Sequence, residues 1–519
     1  VRHHLVTGAT LLISASSTGD PANSVCETPR ASSNADWVAF SSRASNLVAG
    51  TPFGHEYVFL HDAVSGANYA ASRSSAGVFA NDDSFDPEIS GDGRYVAFTS
   101  AATNLDPVDT NGTGDVFVFD RDAGTTQIVS LTATGTLGDL YSVRPSISAD
   151  GRYVAFESLA TTFVPTDVNG VSDVFVKDRV TGELILVSAR PDGIPGDGPS
   201  YHASISGDGR FVAFVSSASD LGPPGTGNGG AHVFVRDLAT STTTLVGVTV
   251  LGAPSLYMAD HPRMSYDGRF VVFETLAPDL VIGDTNSASD VFLVDRVRNQ
   301  TLRASLSSAF QQTNGYSGTP AVSYDGTRVG FLSFGTNLVD GDTNGFIDAF
   351  VRTCELPSGS TFCAGDGTAT PCPCGNSGVP GSGCASSSQP DGGHLFALGT
   401  PSVSSDTLVL RGEGLPASYI VYFQGTLQVN GGAGNVFGDG LLCTGGSIVR
   451  LGTKLSMGGA SGGCVSGYPD AGDLAISLKG SIPSVGGTRT YQGWYRASAP
   501  FCTPATYNMT NGIQEVWQL

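Results

Sequence analysis

Pro87-Glu-Ile-Ser90, Gly91-Asp-Gly-Arg94 and Tyr95-Val-Ala-Phe-Thr-Ser100 read in turn as a strand, a tight turn and a second strand. Asp92-Gly93 supplies the positive φ that such a hairpin turn needs. Beyond a loop over residues 101–114, Val116-Phe-Val-Phe-Asp120 reads as a third strand. After the turn Asp122-Ala-Gly124, Gln127-Ile-Val-Ser130 reads as a fourth. The unit recurs six times, around Trp37-Val-Ala-Phe40, Tyr95-Val-Ala-Phe98, Tyr153-Val-Ala-Phe156, Phe211-Val-Ala-Phe214, Phe270-Val-Val-Phe273 and Arg328-Val-Gly-Phe331. The closing phenylalanines are spaced 58, 58, 58, 59 and 58 residues apart. Four short strands per unit at a long fixed period are the pattern of a propeller blade, whereas a linear solenoid usually repeats at shorter intervals. The expected fold is all-β: a six-bladed propeller over residues 1–354, followed by a second β domain.

The sixth unit stops at Asp348-Ala-Phe-Val351 without a fourth strand, while Thr10-Leu-Leu-Ile-Ser14 at the other end belongs to no unit. Ser14 precedes Phe40 by 26 residues, as Ser72, Ser130, Ser188 and Ser305 precede Phe98, Phe156, Phe214 and Phe331. Residues 10–14 are therefore in register to complete the sixth blade, which would hide two strand edges.

The recurrent proline, Ile-Ser, Asp-Gly-Arg, Val-Ala-Phe and Asp-Val-Phe-Val-x-Asp-Arg elements, over roughly residues 10 to 354, resemble the PD40 repeats of TolB-type and WD40-like propellers. The resemblance implies a fold. Such propellers serve as binding platforms, scaffolds and sometimes enzymes.

Four loops between the second and third strands carry Asp-x-Asn-(Gly/Ser)-x-x-Asp: Asp109, Asn111 and Asp115; Asp167, Asn169 and Asp173; Asp284, Asn286 and Asp290; Asp342, Asn344 and Asp348. Alternating Asp and Asn on a tight bend, with a trailing carboxylate, offers the oxygens that a hard divalent cation requires. An Asx-turn, in which the leading Asp bonds its own backbone, is the bland alternative. The last loop, Asp340 to Asp348, is similar to the calcium loop of integrin-type propellers. That likeness implies ligation by Asp340, Asp342, Asn344 and Asp348 and by the carbonyl of Phe346. The other three carry Pro107, Pro165 and Ile282 in place of the first acid. Structural Ca²⁺ is the expected cofactor.

Twelve residues before each closing Phe lie Thr28, Asp86, Arg144, His202, His261 and Thr319. They fall at the start of each innermost strand, so they should ring one mouth of the central channel. Asp86, Arg144, His202 and His261 are the candidate ligand contacts, for an anionic or sugar-like molecule; a solvated polar rim fits the same residues. Metal-dependent pectate-degrading propellers place several histidines there, but only two of these six are His. There is no Gly-x-Ser-x-Gly, no His-Glu-x-x-His and no phosphate-binding glycine loop, so no enzyme is expected.

With 26 basic and 47 acidic residues the net charge is −21, which argues against nucleic acid and anionic membranes as partners. No stretch is long and apolar enough for a membrane helix. Eight of the nine cysteines lie from Cys354 onward, so disulfides and an oxidising compartment are expected, extracellular or cell-surface ahead of periplasmic. Cys26 could staple Cys354. Residues 355–395 read as a Cys/Gly/Ser-rich connection and residues 396–519 as a disulfide-pinned β-sandwich. This end, with Cys443-Thr-Gly-Gly, Trp494-Tyr-Arg and Phe501-Cys-Thr, resembles C-terminal domains of secreted planctomycete-type proteins. The expected function is a secreted structural or interaction protein that self-associates or binds a surface partner. A glycan- or peptide-binding platform on the axis is the alternative, followed by a polysaccharide-active enzyme.

Overall fold

The two central strands of each repeat turn alternate residues toward the two neighbouring repeats, which is why the units stack. In the second repeat, Phe98 and Phe117 pack into a cluster shared with the first. Ala97, Val116 and Val118 pack instead into a cluster shared with the third. A computed structural model describes residues 2–3, 7–165, 167, 169–222, 226, 230–281, 283–307, 311–354, 357–367, 370–378, 381–387, 391–399, 401–458, 464–469, 473–496, 504 and 506–518.

Five antiparallel sheets of four strands and one of three form the repeat region. Blade two is typical, with Ser84–Ile89 innermost, then Tyr95–Ser100, Asp115–Asp120 and Thr125–Ile128. A cavity of about 570 Å³ at the turn ends of the innermost strands is lined by residues of all six blades, from Ala31 to Asp325, which sets the sheets around one axis. The turns there are linked in series by backbone bonds: Ser33 N–H to Gly91 O, Gly91 to Ala149, Ala149 to Gly207, Asp208 to Tyr266 and Tyr266 to Tyr324.

The turn glycines are dictated by close approach. A Cβ on Gly93 would sit 2.4 Å from the Trp37 ring of the preceding blade, and Gly151, Gly209, Gly268 and Gly326 meet Tyr95, Tyr153, Phe211 and Phe270 in the same way. Blades two to five also carry a two-pronged arginine–aspartate clasp: Arg94 to Asp120, Arg152 to Asp178, Arg210 to Asp237 and Arg269 to Asp295.

The seam between blades six and one is different. Among the described residues blade six has only Ser317–Val322, Arg328–Ser333 and Asp348–Thr353. The expected completion by residues 10–14 is not what the structure shows: Thr10–Leu11 pairs with Arg2–His3 in a separate two-stranded sheet. The register inference does hold locally. The Ala15–Pro21 bridge matches Arg73–Phe79, Leu131–Leu137 and Ala189–Pro195 at the 58-residue period, and Ile13 packs with Phe40 and Phe59. Among the described residues no apolar cluster joins blades six and one, and no bond runs from Tyr324 back to Ser33. Ala35 stands where other blades have the turn glycine, and Arg328 where they have the aromatic residue. Val351 is 54% exposed, whereas its counterparts Leu60, Val118, Val176, Val235 and Leu293 are at most 1% exposed.

The C-terminal region is a sandwich of a five-stranded and a six-stranded antiparallel sheet. Leu395, Leu410 and Tyr468 from one sheet and Tyr422, Tyr491, Tyr495 and Trp517 from the other fill its core. It starts earlier than expected. Pro357–Ser358 and Ser360–Phe362, placed in the connecting segment by sequence, are edge strands of its two sheets. Disulfides join Cys363 to Cys443 and Cys372 to Cys384. Cys26 and Cys354 are free thiols, so the staple between them is absent. The side chains of Cys374 and Cys464, and all of Cys502, lie outside the described residues. The two disulfides place the chain in an oxidising, non-cytoplasmic compartment. Among the described residues no helix is long and apolar enough to cross a membrane.

Candidate functional site

Each innermost strand skips one register step against its neighbour, for example between Phe85 and Glu88 in blade two. The skipped residue takes a left-handed backbone, and it is the same position in every blade: Thr28, Asp86, Arg144, His202, His261 and Thr319, with φ between 45° and 52°. In five of the six the next residue is proline, whose missing N–H suits a break in the ladder. A non-glycine residue held left-handed costs about 1–2 kcal/mol. Six such residues around one axis concentrate backbone strain at one place in the molecule. The residues expected at the rim are therefore brought together as one structural class.

Their neighbours add charge along the axis. Glu88 lies between Arg30, at 2.7 Å, and Arg263, at 3.4 Å, the latter reaching it from the strand that carries His261. Arg144 reaches Glu157 at 3.1 Å, and its backbone N–H donates to the Thr99 hydroxyl. His202 and His261 stack with ring centroids 4.7 Å apart. His202 Nδ1 is 2.5 Å from Asp260 Oδ1, and His261 Nδ1 is 3.2 Å from Glu274 Oε1. Glu274 also accepts the Tyr316 hydroxyl and the Thr319 backbone N–H.

The hydrogen bond to Glu274, with the Asp260 charge, raises the His261 pKa against the effect of burial. Burial is the largest single influence on Asp260 and acts to raise it, but the hydrogen bond and charge of His202, with the backbone N–H and charge of His261, together hold it low. Burial raises Glu157 and Asp86, and Arg144 offsets part of both shifts. Donor atoms of His202, Asp260 and His261 lie within 4.8 Å of one another, close enough to hold one ion or a polar ligand group between them.

Sequence reasoning missed Arg30, Glu88, Glu157, Asp260, Arg263 and Glu274. Five of them had a signal in the repeat: Arg30, Glu88 and Arg263 all lie ten residues before a closing Phe, and Glu157 and Glu274 each follow one directly. Only alignment of every column, rather than one, brings them out.

The Asp-x-Asn loops all form the same inner turn. Asn111, Asn169, Asn286 and Asn344 each accept a backbone N–H two residues on and donate to the loop's last carboxylate, on Asp115, Asp173, Asp290 and Asp348. In blades two, three and five the fourth-strand serine donates to that same carboxylate: Ser130 to Asp115 at 2.6 Å, Ser188 to Asp173 at 2.5 Å, and Ser305 to Asp290. Blade six has no fourth strand, and among the described residues Asp348 accepts only the Asn344 amide. Asp340 is exposed and Asp342 half-buried there, beside an exposed Phe346.

No family model and no curated protein matches the chain. Among solved structures it is similar to a putative TolB from Agrobacterium tumefaciens, at 16% identity over 64% of this chain and 91% of that one, with a TM-score of 0.36. TolB from Acinetobacter baumannii matches at 13% over 62% and 64%, with a TM-score of 0.34. An oligogalacturonate lyase in complex with manganese matches at 12% over 64% and 92%, with a TM-score of 0.32. The likeness is one of fold. Activity has to be argued from this chain's own residues.

Proposed function

We propose that this chain is an extracellular interaction scaffold that assembles with further copies of itself through blade six. The observation that carries this reading is the unfilled fourth position beside Asp348–Thr353, with Asp348 lacking the serine that its counterparts receive. Residues 10–14 have the spacing of a fourth strand ending in that serine, yet they are not bonded to their own sixth sheet. An open strand edge with exposed apolar residues is a template for strand addition. Leu11 and Leu12 are exposed on the donor side, and Val351 on the acceptor side. Donation from one copy to the next is head-to-tail, and a head-to-tail contact that does not close on itself builds a polymer.

The test is complementation. Full-length protein should form oligomers, a chain lacking residues 1–14 should remain monomeric, and a synthetic peptide of residues 7–16 should bind the shortened chain. A full-length chain that stays monomeric at every concentration would contradict the reading, because the strand would then serve its own ring.

A second reading is carried by the strained rim: a glycan or peptide seated on His202, His261, Asp86 and Arg144. Ligand screening of the native protein against an H202A/H261A variant tests it. Binding lost in the variant supports it, and an equal profile for both proteins removes it.

A further inference from the structure

Two of the four Asp-x-Asn loops bury a carboxylate that the fold leaves uncompensated. Asp109 is 6% exposed, and neither of its oxygens meets a hydrogen-bond partner. The Asn111 backbone N–H lies outside bonding geometry, and Asp115 adds a second negative charge to the same loop. The Thr113 hydroxyl beside it is likewise buried and unpartnered. In blade three Asp167 is also 6% exposed, with Oδ1 unpartnered, and Asp173 in the same loop is fully buried. A buried, unpaired acid is costly, and two in one loop cost more.

Blade five shows what such a loop needs. Its Asp284 and Asp290 occupy the same places, and Arg303 lies 3.0 Å from the first and 3.4 Å from the second. Arg303 stands opposite Phe292, as Ile128 stands opposite Phe117 and Leu186 opposite Phe175. The register is therefore identical, and the guanidinium of blade five is replaced by an aliphatic side chain in blades two and three. The same pair of acids thus occurs once with a positive charge built into the chain and twice without one.

We infer that the loops of blades two and three each take up a divalent cation, held by Asp109, Asn111, Thr113 and Asp115 and by Asp167, Asn169 and Asp173, and that Arg303 fills this role in blade five. The available donors are all oxygen, from carboxylates, amides, a hydroxyl and loop carbonyls. That set favours calcium, which accepts many oxygens in flexible geometry, over magnesium, which demands a tight octahedron, and over nitrogen- and sulfur-seeking metals. The blade six loop is outside the inference because Asp340 is exposed and Asp342 and Asp348 are only half-buried. The inference is independent of assembly through blade six.

Calcium titration calorimetry on the full chain, stripped with chelator and dialysed, tests it. Wild type should bind calcium in preference to magnesium. Asp109→Asn and Asp167→Asn should each lose one equivalent of bound calcium. Asp284→Asn should lose none. Ile128→Arg places the blade five guanidinium in blade two; it should also lose one equivalent while its melting temperature becomes less sensitive to chelator. Thermal melts confirm that each variant is folded. Absence of calcium uptake by wild type would overturn the inference. Unchanged stoichiometry in the Asp109→Asn/Asp167→Asn double variant, or loss of an equivalent in Asp284→Asn, would do the same.

Discussion

Blade three and blade six share one repeat, yet one is locked between neighbours and the other is not. In blade three both faces are packed, Phe175 to one side and Val174 and Val176 to the other, and the Arg152–Asp178 clasp closes the hairpin. In blade six the Val351 face is open, Thr327 and Thr353 stand where the clasp would be, and the fourth strand is missing. Blade one, on the other side of the seam, likewise lacks the clasp arginine, with Asp36 in its place, and has Ala35 where the turn glycine would be. The difference teaches that the repeat stabilises through its neighbours. Where the sequence stops supplying neighbour contacts, the leftover edge becomes available to another strand.

Four substitutions, taken as two matched pairs, sharpen this contrast. Phe175→Ala, in the interior, should cost about 3–5 kcal/mol of stability, as large-to-small changes in packed cores do. Phe350→Ala, its blade six counterpart, should cost about 1 kcal/mol, because its side chain is only partly buried. Chemical denaturation of both variants measures the pair, and equal losses would mean that the seam is as well packed as the interior. Arg152→Ala should lower the denaturation midpoint by less than Phe175→Ala, whereas Thr327→Ala at the matching place should leave it unchanged.

The clasps also set a pH dependence. The hydrogen bond from Arg152 holds the Asp178 carboxyl well below the usual range. The folded pKa is below the unfolded one, about 3.9. The clasp's contribution is therefore fully present above that value and is lost as the pH falls toward the folded pKa. Stability measured from pH 6 down to pH 2 should fall more steeply in wild type than in Asp178→Asn. Parallel curves would show that the clasp carries no linkage.

Much of the propeller was legible because it is written six times. The Val-Ala-Phe spacing gives the blades, the Asp-Gly turns give the hairpins, and the column of Thr28, Asp86, Arg144, His202, His261 and Thr319 gives the rim. What remained hidden depends on pairing in space. The register of Ser14 locates it along the repeat but does not say which sheet it bonds, and Thr10–Leu11 turns out to pair with Arg2–His3. The Asp-x-Asn motif is alike in blades two and five, so the guanidinium that distinguishes them, on Arg303 in the next strand, is invisible to the motif. Residues 357–362 are too short and too near the glycine-rich stretch to announce themselves as edge strands, and only their partners at Leu398 and Gln514 define them.

The most direct test of the unsealed seam is the mass of the native full-length protein across a concentration series, by light scattering with electron microscopy, beside Val351→Asp. The substitution places a charge on an exposed position, so the isolated subunit should keep its stability within about 0.5 kcal/mol. The account predicts concentration-dependent head-to-tail oligomers of wild type and monomers of Val351→Asp. Monomers of both proteins at all concentrations would contradict it.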